Sequence, residues 1–181
     1  MHSCIHAFLT FLVPFLLWSL RRTIDMQLNT HAEVRQAYSA DVSGLVMVPE
    51  AVARPASARE VVDIVRKAAA DGTPVTAAGS QTSTTGASIT DNGILLSLRA
   101  MNRVIDIDAR SRRANVEPGV LLGALNRAPA DHGLPFAPDP TSPDDVTVGG
   151  AIACNASGAR SLLYGATRPH VIALDVVLAN G

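Results

Sequence analysis

The stretch that decides the fold runs Ser57-Ala-Arg-Glu60-Val61-Val62-Asp-Ile64-Val65-Arg-Lys-Ala68-Ala69-Ala-Asp71-Gly72, then Thr-Pro74-Val75-Thr-Ala-Ala78, then Gly79-Ser-Gln81-Thr-Ser83-Thr-Thr-Gly86. Ser57 and Glu60 have the spacing of a capping box, in which each residue satisfies a free N–H at a helix start. Behind them Val61, Val62, Ile64, Val65, Ala68 and Ala69 recur at helical spacing. Gly72 suits the left-handed residue that closes a helix, and Pro74 prevents it resuming. Val75–Ala78 then reads as a strand, and Ala51–Pro55 as another before the helix. Strand, helix, strand in that order predicts a parallel pair.

Downstream, Asp91-Asn92-Gly93 marks a turn before an apolar strand, Ile94–Leu98. Val104–Ile107 and Arg113–Val116 read as strands joined by a turn at Asp108–Arg110. Val120–Ala128 reads as a short helix with Leu121, Leu122 and Leu125 on its apolar side, limited by Pro129. Pro135, Pro138, Pro140 and Pro143 make a stiff extended connection. Val171–Ala179 has the composition of a strand, and Asn180-Gly181 that of a two-residue hairpin turn. The returning strand is not in the sequence, so the chain reads as the N-terminal part of something longer.

Composition sets the outer limits. The chain has 181 residues, a net charge of −1, 17% charged and 48% hydrophobic residues. Such a chain is long enough for one domain with a real core and is not disordered. Its charge excludes a strongly basic nucleic-acid footprint. Cys4 and Cys154 stand alone, which argues against a zinc site or a disulfide framework. Four of the seven aromatics (Phe8, Phe11, Phe15, Trp18) fall in the first 18 residues, and all 13 glycines lie at Gly44 or later. Two differently built segments therefore meet near residues 21–30. The first, an apolar run over 5–20 followed by Arg21 and Arg22, is shorter than the roughly 20 residues needed to span a bilayer. Three readings stay open for residues 1–25: an upstream extension before Met26, a membrane anchor, or a signal peptide. The location read is cytoplasmic, with membrane association through residues 5–20 as the alternative.

Two loops combine glycine with small hydroxyl residues: Ala78–Ser88 and Thr147–Ser161. Glycine lets backbone N–H groups approach a ligand, and successive N–H groups make an anion-binding nest. Neither the phosphate-loop pattern ending in Gly-Lys-Ser/Thr nor the dinucleotide Gly-x-Gly-x-x-Gly is present. Two ligand-free surface loops would share this composition; the placement of each beside a predicted strand or helix start favours an anion site.

Ordered blocks from Pro49 to Gly181 carry a closer likeness. They are Pro74-Val-Thr-Ala-Ala-Gly79-Ser-Gln-Thr-Ser83 with Gly86, Met101-Asn-Arg-Val104, Val116-Glu-Pro-Gly119, Pro138-Asp-Pro-Thr-Ser142, Thr147-Val-Gly-Gly150, Asn155-Ala-Ser-Gly158, Tyr164-Gly165 and Val176-Val-Leu-Ala179. Together they resemble the FAD-linked oxidases of the vanillyl-alcohol oxidase and p-cresol methylhydroxylase superfamily. Within it the chain looks most like the FAD-binding subunit of glycolate oxidase and the flavin-dependent D-lactate dehydrogenases.

The resemblance implies an α+β fold: a p-cresol methylhydroxylase-type FAD-binding domain over residues 49–181, incomplete at the C-terminus. Subdomain one would cover about 49–109 and subdomain two would begin at about 110, with 26–48 as an N-terminal segment. It implies that Ala78, Gly79, Ser80, Gln81, Thr82, Ser83, Gly86 and Ala87 hold the FAD pyrophosphate. Pro140, Thr141, Thr147, Gly149 and Gly150 would approach the ribityl chain and flavin. Asn155, Ser157 and Gly158 would continue that wall, and Val171 would meet the adenine through its backbone. Gln81 departs from the family, where glycine is common; a positive φ there would strain it. Covalent members carry a histidine in this loop, and its absence implies noncovalent FAD. The substrate implied is a 2-hydroxy acid such as D-lactate or glycolate, oxidised by hydride transfer to flavin N5, with the electron acceptor unknown. A non-catalytic remnant and a membrane-tethered FAD-binding module are the alternatives. No metal site and no catalytic base is read. His132 and His170 read as unpartnered surface residues, Asp139, Asp144 and Asp145 as turn and capping residues, Arg160 and Arg168 as surface residues within reach of a phosphate, and Cys154 as a packed thiol.

Overall fold

Ser57 begins the central helix as its sequence predicts. In the computed structural model, which describes residues 28–127, 136, 138 and 144–181, the Glu60 N–H donates to Ser57 Oγ at 3.3 Å. The return arm differs from the standard box: Glu60 Oε2 accepts from the Ala56 N–H at 2.9 Å. The helix, α2, spans Ala58–Asp71 and closes on Gly72 at φ +67°. It is preceded by β1 (Leu28–Asn29), α1 (Ala32–Ala37) and β2 (Ala51–Ala53), and followed by β3 (Val75–Ala78) and β4 (Ile94–Ser97).

The four strands make one sheet in the order β1-β2-β4-β3. β2 and β3 both run parallel to β4, which lies between them, while β1 is antiparallel at the edge. The predicted parallel direction of β2 and β3 thus holds, but they are not neighbours. Each face of the sheet is covered. Ala51, Ala53, Ile94 and Leu96 pack with Val61, Ile64 and Ala68 of α2. Val52, Ala78 and Leu95 face the other way, against Val34 and Tyr38. Burial on both faces explains why β2 and β4 read as unbroken apolar runs rather than as alternation. Leu95 is fully buried, and its truncation to alanine would cost about 2–5 kcal/mol. The segment before residue 49, which the sequence leaves apart, is therefore structurally part of this unit: it supplies the edge strand and one covering layer.

A hairpin follows. β5 (Val104–Asp108) and β6 (Arg113–Val116) pair antiparallel, and the division drawn at about 109/110 falls in its turn. Two short helices come next: α3 (Leu122–Arg127) and α4 (Val148–Ala153). Leu121, expected on the apolar side of α3, instead precedes the helix and forms a bridge with Thr147. Val120, Leu122, Leu125 and Ala151 form a second small core. A one-turn helix, α5, spans Ser161–Tyr164, and a 3-10 turn follows at Arg168–His170.

Val171–Ala179 is not a strand. It is unassigned backbone over 171–178, with Ile172, Leu174, Val176 and Leu178 exposed. A strand exists only with a ladder partner, and none of the described residues supplies one; propensity alone does not make a strand. The segment is tethered at its end, where Arg66 Nε donates to Gly181 O at 2.9 Å. The turn signal at Asn180 is met by a Gly181 N–H to Leu178 O bond of 2.8 Å. Residues 1–25, Pro129, Pro135, Pro140, Thr141, Pro143, His132 and Asp139 lie outside the described residues. Among the described residues no helix is long and apolar enough to cross a membrane.

The open end of the β5–β6 hairpin is clamped at Glu117, whose N–H donates to Arg103 O at 3.0 Å. Arg103 binds its carboxylate with Nε at 3.0 Å, Nη2 at 2.7 Å and the backbone N–H at 2.8 Å. The Arg103 hydrogen bonds hold the Glu117 carboxyl below its ordinary 4.5. A depressed carboxyl contributes stability above its ordinary value and loses it as pH falls through the depressed one. Between about pH 5 and pH 3, the urea midpoint of the parent should fall more steeply than that of Glu117→Gln. Parallel slopes would show that this clamp carries no pH-dependent stability.

Candidate functional site

The glycine loop leaves the carboxyl end of β3, where Ala78 pairs with Ser97. Ligands of α/β sheets collect outside such ends. Gly79 sits directly against the second loop: a Cβ on it would overlap Thr147 Oγ1. The two glycine-rich stretches that the sequence singles out, far apart along the chain, therefore touch. Thr147 is 1% exposed and caps α4, accepting from the Gly150 N–H at 3.2 Å.

The loops differ in what they leave open. Gln81 has φ +56°, so the loop does require the left-handed conformation that makes glycine common there. The strain, about 1–2 kcal/mol for an L-residue, is offset by the side chain. Gln81 Nε2 donates to Tyr38 O at 2.9 Å and to Ala40 O at 3.2 Å. Among the described residues, the N–H groups of Ser80, Gln81, Thr82 and Ser83 have no hydrogen-bond acceptor. Consecutive free N–H groups around a left-handed residue are the donor set of an anion nest. The hydroxyls of Ser80 and Ser97 are also buried without a partner among these residues. Serine at the end of the apolar run Ile94–Leu96 is the one sequence signal that could have drawn notice to Ser97.

At the start of the second loop, Val148–Ala151, the amides are already used. Val148 N–H donates to Val120 O, Gly149 N–H to Pro118 O and Ala151 N–H to Thr147 O, at 2.8 to 2.9 Å. Val148–Ala151 therefore form a packed wall, in contrast to the free amides of Ser80–Ser83. Past α4, Asn155 has φ +48°, and its Oδ1 accepts from the Arg168 N–H at 2.9 Å. Thr167, 1% exposed, bonds Ala156 O through both N–H (3.0 Å) and Oγ1 (2.8 Å). Gly158 N–H donates to Ser161 Oγ at 2.8 Å. These bonds tie Asn155–Gly158 to the turn before Val171, which is half-buried. Ser157 is exposed. Gly86, at φ +76°, lies beside Leu45 and Ser43 rather than beside the second loop, and Ala87 next to it is exposed.

Two minor expectations change. Cys154 is exposed, because it sits at the end of α4, past the face that Ala151 buries. His170 has partners: Nε2 lies 2.9 Å from Tyr164 O, and its ring meets Phe136 edge-on at 5.8 Å. Asp144 and Asp145 lie in a turn, as expected, and Asp144 also pairs with Arg127 Nη1 at 2.6 Å. Arg168 is exposed, as expected of a surface residue. Among the described residues no group of three or more His, Cys, Asp or Glu could hold a metal ion. A hollow of about 230 Å³ opens at the opposite, amino end of the strands, near Leu28, Ala51 and Ile94, and includes none of the glycine-loop residues.

Residues 49–181 match the model of a family described as the FAD binding domain. The chain is 38% identical over 149 residues to glycolate oxidase subunit GlcD of Bacillus subtilis, covering 81% of this chain and 32% of that protein. It is 38% identical to a D-lactate dehydrogenase of Archaeoglobus fulgidus, covering 80% and 34%. It is 36% identical to a D-2-hydroxyglutarate dehydrogenase of Pseudomonas putida, covering 86% and 16%. The chain thus spans about a third or less of the length of these relatives. Among solved structures, alkyldihydroxyacetonephosphate synthase matches with a TM-score of 0.71 at 22% identity, over 83% of this chain and 34% of that one. That likeness bears on the fold, and agrees with the α+β, p-cresol methylhydroxylase-type architecture.

The Gln81 geometry predicts an order of stabilities. Gln81→Gly loses the side-chain bonds but relieves the positive φ; Gln81→Ala loses the bonds and keeps the strain. In urea unfolding, the alanine variant should be the less stable by about 1 kcal/mol, with both below the parent. Equal stabilities of the two variants would show that the conformation is unstrained.

Proposed function

We propose, from the premise that the chain belongs to the FAD-binding domain family, that it forms the FAD-binding part of a flavin-dependent oxidoreductase acting on a 2-hydroxy acid. The observation that carries the reading is the free donor set at Ser80–Ser83, next to Gly79, which packs against Thr147 at the carboxyl end of the sheet. The residues fit a pyrophosphate. The loop presents neutral N–H and O–H donors, no carboxylate, and a left-handed residue at its centre. The relatives named above support the substrate class, since their names specify glycolate, D-lactate and D-2-hydroxyglutarate.

In this reading Ala78–Ser83, Gly86 and Ala87 shape and supply the pyrophosphate cradle. Backbone donors there balance the two negative charges without a lysine, in a place where water is partly excluded. Thr147, Gly149 and Gly150, with Pro140 and Thr141, form the wall toward the ribityl chain and flavin. Because their amides are spent on Thr147, Pro118 and Val120, Gly149 and its neighbours act by shape, not by donating. Asn155, Ser157 and Gly158 extend that wall, and Val171 offers its backbone to the adenine. With the two-part division that the resemblance implies, about 49–109 and from about 110, the cofactor would lie between the parts. When bound, FAD would supply the redox chemistry, as the acceptor at flavin N5 of the hydride that takes a 2-hydroxy acid to its 2-oxo acid. FAD is held noncovalently, since the Gly79–Ser88 loop has no histidine. The hydroxy-acid pocket is assigned to none of the residues here.

The test is ligand identity. Saturate the purified chain with FAD, FMN and NAD in competition, remove excess, then release the ligand by heat. FAD should be recovered in the supernatant. Recovery of FMN or NAD instead, or flavin that stays with the denatured protein, would sink the reading.

A further inference from the structure

We propose that Asp41 and Gln81 are positioning residues for FAD, because the segment 38–45 braces the pyrophosphate loop from outside and fixes its anion-receiving shape. The inference rests on the functional reading above and extends it to a segment outside the matched residues 49–181. The brace is itself a closed unit. Ala40 bridges Val46, Met47 N–H donates to Ser39 O at 2.8 Å, and Ser39 is 2% exposed. Asp41 Oδ1 accepts from the Ser43 N–H at 2.9 Å and from Ser43 Oγ.

From this unit, bonds reach both flanks of the loop. On one flank, Gln81 Nε2 is held by Tyr38 O and Ala40 O, across 43 and 41 residues of sequence. On the other, Ser88 Oγ donates to Asp41 Oδ2 at 3.0 Å, across 47 residues, and Gly86 lies against Leu45 and Ser43. Of the free N–H groups, those of Thr82 and Ser83 lie between these two anchor points in sequence, and those of Gln81 and Ser80 lie at and beside the first. Without anchors, a loop of small residues would sample many conformations, and a ligand would have to order it on binding. Anchoring removes that cost beforehand, so the brace raises affinity without touching the cofactor.

The experiment uses the full chain, reading FAD affinity by quenching of flavin fluorescence and apo-protein stability by thermal melting. Asp41→Ala and Ser88→Ala should each weaken FAD binding about tenfold. They share one hydrogen bond, so the double variant should be no weaker than the worse single. Asp41→Asn keeps an acceptor toward Ser88 and should restore most of the affinity. The apo melting midpoints should stay close to the parent's, whereas a merely structural role would move the midpoint and not the affinity. Parent-like affinity in Ser88→Ala, additive losses in the double variant, or no rescue by asparagine would each overturn the inference while leaving FAD binding intact. A parent chain that binds no FAD would overturn the functional reading and this inference with it. Should Asp41→Ala fail to fold, Ser88→Ala and Asp41→Asn decide the matter.

Discussion

The contact between Gly79 and Thr147 governs the architecture of the site. Gly79 closes the β-α-β unit at the carboxyl end of β3; Thr147 opens the helix that leads to Asn155. A side chain on Gly79 would occupy the position of Thr147 Oγ1, and that oxygen is needed to cap α4. Gly79 has no positive φ, so the demand is purely for close approach. One missing Cβ therefore lets two loops, built on two different cores, come together at one edge of the sheet.

From that contact the two loops take different roles. The start of the second loop, Val148–Ala151, spends its amides on the protein: Val120, Pro118 and Thr147 receive them. It is a rigid wall whose shape is set before any ligand arrives. The first loop keeps its donors and is held by side chains instead, through Gln81 and Ser88. A polar loop with unsatisfied donors is disposed to bind an anion, and a wall with none is not. The first loop, Ala78–Ser88, carries no lysine or arginine; in the proposed reading its neutral donors, converging on one anion, take their place.

Much of the sheet unit was legible in the chain. Ser57, Glu60, Gly72 and Pro74 punctuate α2, and each acts through local backbone chemistry that sequence spacing reveals. The four buried residues of β4 read correctly because burial on both faces makes an apolar run. What failed was non-local. Val171–Ala179 has strand composition, but a strand is a property of a pair, and composition cannot supply the partner. The covering role of Val34 and Tyr38 was hidden because it depends on which face of the sheet is left open. At the site, the glycines marked both loops, and the likeness to FAD-linked oxidases gave them a ligand. Spacing could not distinguish free amides from spent ones, since Pro118 and Val120 are about 30 residues away from their donors by sequence. Nor could it show that Gln81 pairs with Tyr38 and Ala40, although its presence at a position favouring glycine was the clue.

The central claim is that steric approach between Gly79 and Thr147 creates the cradle. A double-mutant cycle tests it directly, with stability read by urea unfolding and cradle integrity by FAD affinity. Gly79→Ala should cost about 1–3 kcal/mol through overpacking and weaken FAD binding. Thr147→Ala should cost about 1 kcal/mol through loss of the helix cap, but it also vacates the space that the new methyl group needs. The account predicts that the double variant is more stable than Gly79→Ala alone and recovers part of its FAD affinity. Additive losses, or a Gly79→Ala variant that matches the parent in both measurements, would contradict it.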